Sequence, residues 1–148
     1  MSDKEIKVLI FCINGEYYAT DIMEVERILG YEEPTKLPDS PIFVEGVINY
    51  EGNILPIISM ARRFNLPLSE KSNDCKIIVS KQQESKVGII VDVVSEVRDV
   101  KVENIETPPE IVAGISKRYM KGLIKIDNKI IIFLNLSTIL TDEEKRQI

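Results

Sequence analysis

The sequence predicts a mainly β protein made of two similar small barrels that lie side by side. Three observations predict this architecture. Short apolar stretches rich in β-branched and aromatic residues recur along the chain, and turn-forming residues separate them. The stretches with helical spacing are few and short. The second half of the chain also repeats the first, because residues 46–64 match residues 122–140 without a gap.

The first predicted element is a β-hairpin. Residues 7–13 have the composition of a strand, and residues 16–20 form the returning strand. Asn14 and Gly15 between them favour a two-residue turn, because that turn needs positive φ at both positions.

Short helices are predicted at equivalent places in the two halves. Asp21 can cap the first helix, which ends at Gly30. The second helix covers residues 92–97. The apolar residues at helical spacing in the first helix are Ile22, Val25, Ile28 and Leu29.

Further hairpins complete the prediction. Residues 44–50 and 54–58 flank a turn, and a short helix follows at residues 59–66. The tail from residue 137 onward has helical character. The remaining predicted strands are residues 75–80, 86–91, 122–126 and 129–134.

The repeat predicts one domain of two lobes over residues 1–148. The first lobe covers about residues 15–80, and the second combines residues 5–14 with residues 81–140. Residues 141–148 form a C-terminal helical tail. A hydrophobic cleft is expected where the lobes meet, as a docking site. The alternative, that two apolar hairpins match only because such hairpins resemble each other, stays open.

Composition argues against several classes of function. The net charge is −5 and no basic stripe is present, so we expect no nucleic-acid partner. The chain has no histidine, which removes the commonest general base and metal ligand, so no catalytic residue, cofactor or metal site is predicted. Cys12 and Cys75 lie in apolar segments and are predicted to be buried, inert thiols.

The apolar runs are strand-sized and the first residues are polar. Neither a bilayer-spanning segment nor a signal peptide is predicted, so we expect a cytoplasmic protein without direct membrane insertion.

Residues 46–58 read Gly-Val-Ile-Asn-Tyr-Glu-Gly-Asn-Ile-Leu-Pro-Ile-Ile, and this hairpin resembles the signature hairpin of the CheW family. Blocks at residues 11–15, 18–28 and 87–94 resemble other parts of that family, in order, within residues 5–142. The resemblance implies two pseudo-symmetric five-stranded SH3-like β-barrels with short helices and a C-terminal helix. It also implies no cofactor and no catalysis. The implied partners are the regulatory domain of the histidine kinase CheA and the cytoplasmic tip of methyl-accepting chemoreceptors, at membrane-associated arrays.

The resemblance also implies a receptor-binding groove. Two departures from the family put the usual contact in question, because Glu51 replaces an arginine and Ser59 replaces an aspartate. Arg27 stands where the family commonly has glutamate, so we predict an ion pair between Arg27 and Glu51 with reversed polarity; two unrelated surface charges are the alternative. The groove candidates are Val25, Arg27, Ile28, Gly46, Asn49, Glu51, Val94 and Val97.

Five of the groove candidates also have a structural interpretation. Val25 and Ile28 suit a core position, Val94 and Val97 suit burial in the second lobe, and Gly46 suits a close approach of backbones.

The predicted function is an adaptor that couples chemoreceptors to CheA. Glu51 and Ser59 favour a second hypothesis, a CheW-like scaffold in a non-chemotactic receptor–kinase array. A third hypothesis, of another class, is a small enzyme or an oligonucleotide-binding barrel, against which the charge and the lack of histidine weigh.

Overall fold

The structure is a computed structural model that describes residues 4–67, 73–82, 85–107 and 119–140. The described residues form eleven β-strands in two sheets, one short α-helix and three 3₁₀ turns. The strands are β1 (Glu5–Ile13), β2 (Glu16–Asp21), β3 (Val25–Gly30), β4 (Val44–Tyr50), β5 (Asn53–Ser59), β6 (Lys76–Gln82), β7 (Ser85–Val91), β8 (Val93–Lys101), β9 (Ile105–Glu106), β10 (Met120–Ile126) and β11 (Lys129–Leu134). The helix is α1 (Met60–Arg63), and the 3₁₀ turns are Ile22–Glu24, Val102–Asn104 and Leu136–Thr138.

Five strands of each sheet follow the same order, which confirms the predicted mainly β architecture and the repeat. The second sheet has a sixth strand, β9, beside β10. The first lobe is the sheet β3-β6-β7-β5-β4, and the second lobe is the sheet β8-β1-β2-β11-β10-β9. Each lobe takes its central hairpin from one half of the chain and its other main strands from the other half. One parallel pair joins these parts in each lobe, with Ile57 opposite Gly88 in the first and Phe133 opposite Ala19 in the second.

The lobe boundaries differ from the predicted ones. The prediction put residues 16–20 in the first lobe and residues 86–91 in the second, whereas β2 lies beside β1 and β7 lies beside β6. The turn at Asn14 and Gly15, with φ of 52° and 81°, keeps β1 and β2 together as an antiparallel hairpin. The two strands of a tight hairpin stay in one sheet. The chain therefore crosses from one lobe to the other after β2 and again after β7. The predicted tail at residues 141–148 lies outside the described residues.

The two short helices predicted at residues 21–30 and 92–97 are wrong. Asp21 does cap a turn, since its Oδ1 accepts the N–H of Met23 at 2.9 Å, but only one 3₁₀ turn follows before β3. Residues 93–97 belong to β8. Both strands contain a bulge, at Glu26 and at Ser95, where the pairing register shifts. A bulge interrupts the two-residue alternation of a strand, so the apolar spacing imitates a helical turn.

Buried apolar side chains fill the seam between the lobes. Leu9, Phe11 and Tyr18 of the second lobe pack in one cluster with residues of the first lobe such as Ile78 and Ile89. A smaller cluster lies inside each lobe. This packing joins the lobes along the seam, and Val25 and Val94, which are partly buried against the same cluster, mark the rim of the seam.

Candidate functional site

Arg27 and Glu51 form the predicted ion pair. The Nη1 atom of Arg27 lies 3.6 Å from Oε2 of Glu51, and the two side chains are 53% and 51% exposed. An exposed pair of this kind contributes only about 0–1 kcal/mol to folding. It can still orient a partner, because charge order at a surface selects among partners more than it adds affinity.

The hairpin turn between β4 and β5 positions Glu51. Glu51 and Gly52 have φ of 52° and 81°, the conformation of a two-residue type I′ turn. The side chain of Asn49 supports the turn, since its Oδ1 accepts the N–H of Gly52 at 3.0 Å. The groove candidate Asn49 therefore has a structural role in holding Glu51. A glutamate is an unusual residue for positive φ, where asparagine, aspartate or glycine is typical.

A second cluster lies beside the pair, and the sequence did not single it out. Glu26 is the bulged residue of β3, and its Oε2 accepts hydrogen bonds from the hydroxyl of Tyr50 at 2.7 Å and from Nζ of Lys86 at 2.9 Å. Tyr50 also lies under two cations, with the guanidinium of Arg27 5.7 Å and Nζ of Lys86 5.6 Å from the ring centroid. The three residues come from β3, β4 and β7, and no sequence spacing connects them.

The cluster changes two proton affinities. The hydrogen bonds from Lys86 and then Tyr50 lower the pKa of Glu26 below its usual value. Burial, and then the hydrogen bond to Glu26, raises the pKa of Tyr50. Both shifts favour one state at neutral pH, in which Glu26 is ionised and Tyr50 keeps its proton.

The second lobe joins its edge strand to its hairpin turn in a similar way. Asp127 occupies the repeat position of Glu51 and has φ of 50°. Arg98 of β8 lies 3.5 Å from Asp127 and 3.3 Å from Glu96, which occupies the repeat position of Arg27. In both lobes an arginine of the edge strand thus contacts an acidic residue of the hairpin turn. The two arginines, Arg27 and Arg98, do not occupy equivalent positions in the repeat.

The apolar groove candidates divide into two sets. Val25 and Val94 are partly buried and pack against the cluster that fills the seam. Ile28 and Val97 are 40% and 53% exposed and lie on the edge strands β3 and β8. Val25 and Val94 occupy equivalent positions in the repeat, as do Ile28 and Val97. Of these four candidates, each lobe thus presents one half-buried and one exposed apolar side chain on its edge strand.

Gly46 is a backbone position. Its φ is 147°, and a Cβ atom there would overlap the carbonyl of Thr35. Thr35 and Val47 exchange two backbone hydrogen bonds of 2.8 and 2.9 Å directly beside it. Gly122 is its repeat equivalent, and a Cβ there would lie 2.6 Å from Ile105. Gly46 therefore serves the fold through close approach, as its structural interpretation predicted.

Ser59 has a structural role too. Its Oγ accepts the N–H of Arg62 at 3.2 Å and caps α1. Serine and aspartate are both strong N-cap residues, so the departure from the family's aspartate keeps this cap.

Both cysteines are thiols, with Cys75 buried and Cys12 partly buried. Burial is the main cause that raises the pKa of the Cys12 thiol, which suits an unreactive side chain. Within the part of the chain that the structure describes, no group of three or more His, Cys, Asp or Glu residues could hold a metal ion. No helix among the same residues has the length and apolar character to cross a membrane.

The described strands thus form a two-lobed β module, in which two SH3-like lobes share a core and carry exposed charged turns and edge strands. Comparison with known proteins gives the family. The family model described as a CheW-like domain matches residues 7–144, so the chain belongs to the CheW-like family.

Individual relatives match over nearly their full length. The chemotaxis protein CheW of Klebsiella aerogenes is 32% identical, with 92% of this chain and 82% of that protein covered. The chemotaxis protein CheW of Bacillus subtilis is 30% identical, with 95% and 90% covered. The crystal structure of the scaffolding protein TtCheW from Thermoanaerobacter tengcongensis superimposes with a TM-score of 0.88 at 34% identity, over 97% of this chain and 92% of that chain.

Proposed function

We propose that this chain is an adaptor that couples chemoreceptors to the histidine kinase CheA in chemotaxis signalling. The observation that carries the proposal is its match along almost the whole chain to proteins named as chemotaxis and scaffolding proteins. Such an adaptor binds partners by mass action and needs no substrate or cofactor. Its place would be the cytoplasmic side of receptor arrays.

Receptor binding in this proposal uses the rim of the seam. Val25 and Val94 offer half-buried apolar surface on the two lobes, which suits one face of a partner helix. Apolar anchors supply most of the affinity in such an interface. The exposed Arg27–Glu51 pair stands beside Val25 on the first lobe and would decide which receptor helix is accepted.

A second candidate function rests on the reversed polarity of that pair. A CheW-like scaffold in a non-chemotactic receptor–kinase array would keep the kinase contact while accepting a different receptor. The order of charges at Arg27 and Glu51 is the observation that favours it.

Isothermal titration of the chain against a CheA regulatory domain, and separately against a chemoreceptor cytoplasmic tip, tests both candidates. Binding to both partners supports the adaptor. Binding to the kinase domain alone supports the second candidate. Val25→Asp should abolish receptor binding, whereas Asp99→Asn, which removes the exposed Lys7–Asp99 pair of the second lobe, is the matched control.

A further inference from the structure

The Glu26–Tyr50–Lys86 cluster is more than the fold requires. In the repeat, Glu26 corresponds to Ser95, Tyr50 to Ile126 and Lys86 to Tyr17. The bulge, the turn and the order of the five equivalent strands are the same in the second lobe, yet Ser95, Ile126 and Tyr17 form no such cluster among the described residues. The second lobe folds without these contacts, so they serve a purpose that belongs to the first lobe.

The cluster lies where it can control Arg27. Glu26 is the neighbour of Arg27 in sequence, and its carboxylate is an obvious competitor of Glu51 for the guanidinium. Tyr50 and Lys86 both donate hydrogen bonds to Oε2 of Glu26, and the ammonium of Lys86 compensates its charge. The ring of Tyr50, fixed by that hydrogen bond, also lies beneath Arg27 at 5.7 Å.

We propose that Glu26, Tyr50 and Lys86 act as positioning residues for partner choice, because together they direct Arg27 toward Glu51. The four charged groups form two pairs, Glu26 with Lys86 and Arg27 with Glu51. Because Glu26 is paired with Lys86, Arg27 and Glu51 can face a partner. The partner would then present a carboxylate opposite Arg27 and a cation opposite Glu51. This inference rests on the proposed function only for the identity of that partner.

Side-chain NMR tests the positioning without any partner. The heteronuclear NOE of the Nε–Hε group of Arg27 is compared in the wild-type chain, in Tyr50→Phe and in Lys86→Met. Tyr17→Phe is the matched control, because it removes a hydroxyl that accepts a hydrogen bond from Lys129 in the other lobe. The NOE of Arg27 should fall in Tyr50→Phe and in Lys86→Met, and it should stay unchanged in Tyr17→Phe. An equal NOE for Arg27 in the wild-type chain and all three variants overturns the proposal.

Receptor binding supplies the second readout. Tyr50→Phe should weaken binding of a receptor cytoplasmic tip about five-fold, the size expected for a weakened surface charge contact. The same substitution should have no effect in a chain that already carries Arg27→Gln, because the cluster acts through Arg27. An equal loss in both backgrounds means that Tyr50 acts through general structure, and this contradicts the proposal.

The adaptor function and the positioning role of the cluster can be contradicted separately. A wild-type chain that ignores the receptor tip while Arg27 still loses order in Tyr50→Phe contradicts the proposed function and supports the positioning role. A chain that binds the tip with the same affinity in all variants contradicts the positioning role alone.

Discussion

Arg63 of α1 donates a hydrogen bond from its Nε to the carbonyl oxygen of Ile139, at 2.8 Å. This contact ties the first lobe to the chain that follows β11 in the second. The same guanidinium donates to the hydroxyl of Tyr119 and lies 4.9 Å from the centroid of that ring and 5.2 Å from that of Phe43. Arg63 thus adds a polar contact between the lobes to the apolar packing in the seam. The relative position of the lobes sets the rim at which Val25 and Val94 lie.

Replacement of Arg63 should destabilise the whole protein. Arg63→Met removes partly buried, charge-assisted hydrogen bonds and leaves the Ile139 carbonyl without this donor, so we expect a loss of about 2–3 kcal/mol in the free energy of unfolding. Urea denaturation measures it. Arg62→Met is the neighbouring control, because Arg62 makes a partly exposed pair with Glu45 and its loss should cost less than about 1 kcal/mol. Equal losses would mean that Arg63 does not join the lobes.

The strained turn residue Glu51 should show a trade between stability and binding. Glu51→Asn places a residue that tolerates positive φ in the turn, so the free energy of unfolding should rise by about 0.5–1 kcal/mol and the melting temperature by about 1–4 °C. Receptor binding should fall because the ion pair is lost. Differential scanning calorimetry and titration measure the two effects.

Glu51→Gln is the control for that experiment. It removes the charge but keeps a long side chain at the same φ, so binding should fall without the gain in stability. A gain in stability for both variants would show that the charge, rather than the backbone conformation, destabilises the wild-type turn.

Gly46 should be intolerant of any side chain. Gly46→Ala forces a Cβ atom into the Thr35 carbonyl at a φ of 147°, and the expected cost is about 3 kcal/mol in the free energy of unfolding. Gly30→Ala is the control, because a Cβ at Gly30 meets no atom within 4 Å and its backbone lies outside the positive-φ region. A stable Gly46→Ala variant that fails to bind a receptor would instead make Gly46 a contact residue.

The pKa of Glu26 gives a pH-dependent prediction. In the folded protein it lies below the usual 4.5, chiefly through the hydrogen bond from Lys86, so ionised Glu26 favours folding above the unfolded-state pKa. That contribution is lost as the pH falls through the folded-state pKa. Carboxyl NMR titration should show the pKa rising toward 4.5 in Lys86→Met. The pKa of Glu26 should not change in the control Lys129→Met, because the ammonium of Lys129 contacts Tyr17 in the other lobe.

Hairpins were the most predictable part of this fold. Their turns contain residues suited to positive φ, such as Asn14 with Gly15 and Asp127 with Asn128, and these local preferences act without tertiary contacts. The repeat was visible because Gly46 and Gly122 each permit a close approach beside the same bulge. The turns and the close approaches each require particular residue types, which can be recognised in the sequence.

The edge strands and the positioning cluster were beyond reach for physical reasons. The bulges at Glu26 and Ser95 gave β3 and β8 the apolar spacing of a helix. The Glu26–Tyr50–Lys86 contacts depend on how three strands pair, which no local pattern encodes. The ion pair of Arg27 and Glu51 was predictable only because both residues departed together from a family pattern.

As an adaptor, this chain should hold a receptor and a kinase in one complex. Mass photometry of a mixture of receptor cytoplasmic tips, CheA regulatory domain and this chain tests it most directly. We expect a complex containing all three, which is absent when the chain is omitted and absent when the chain carries Val25→Asp. Binary complexes with only one partner, and none with both, would contradict it.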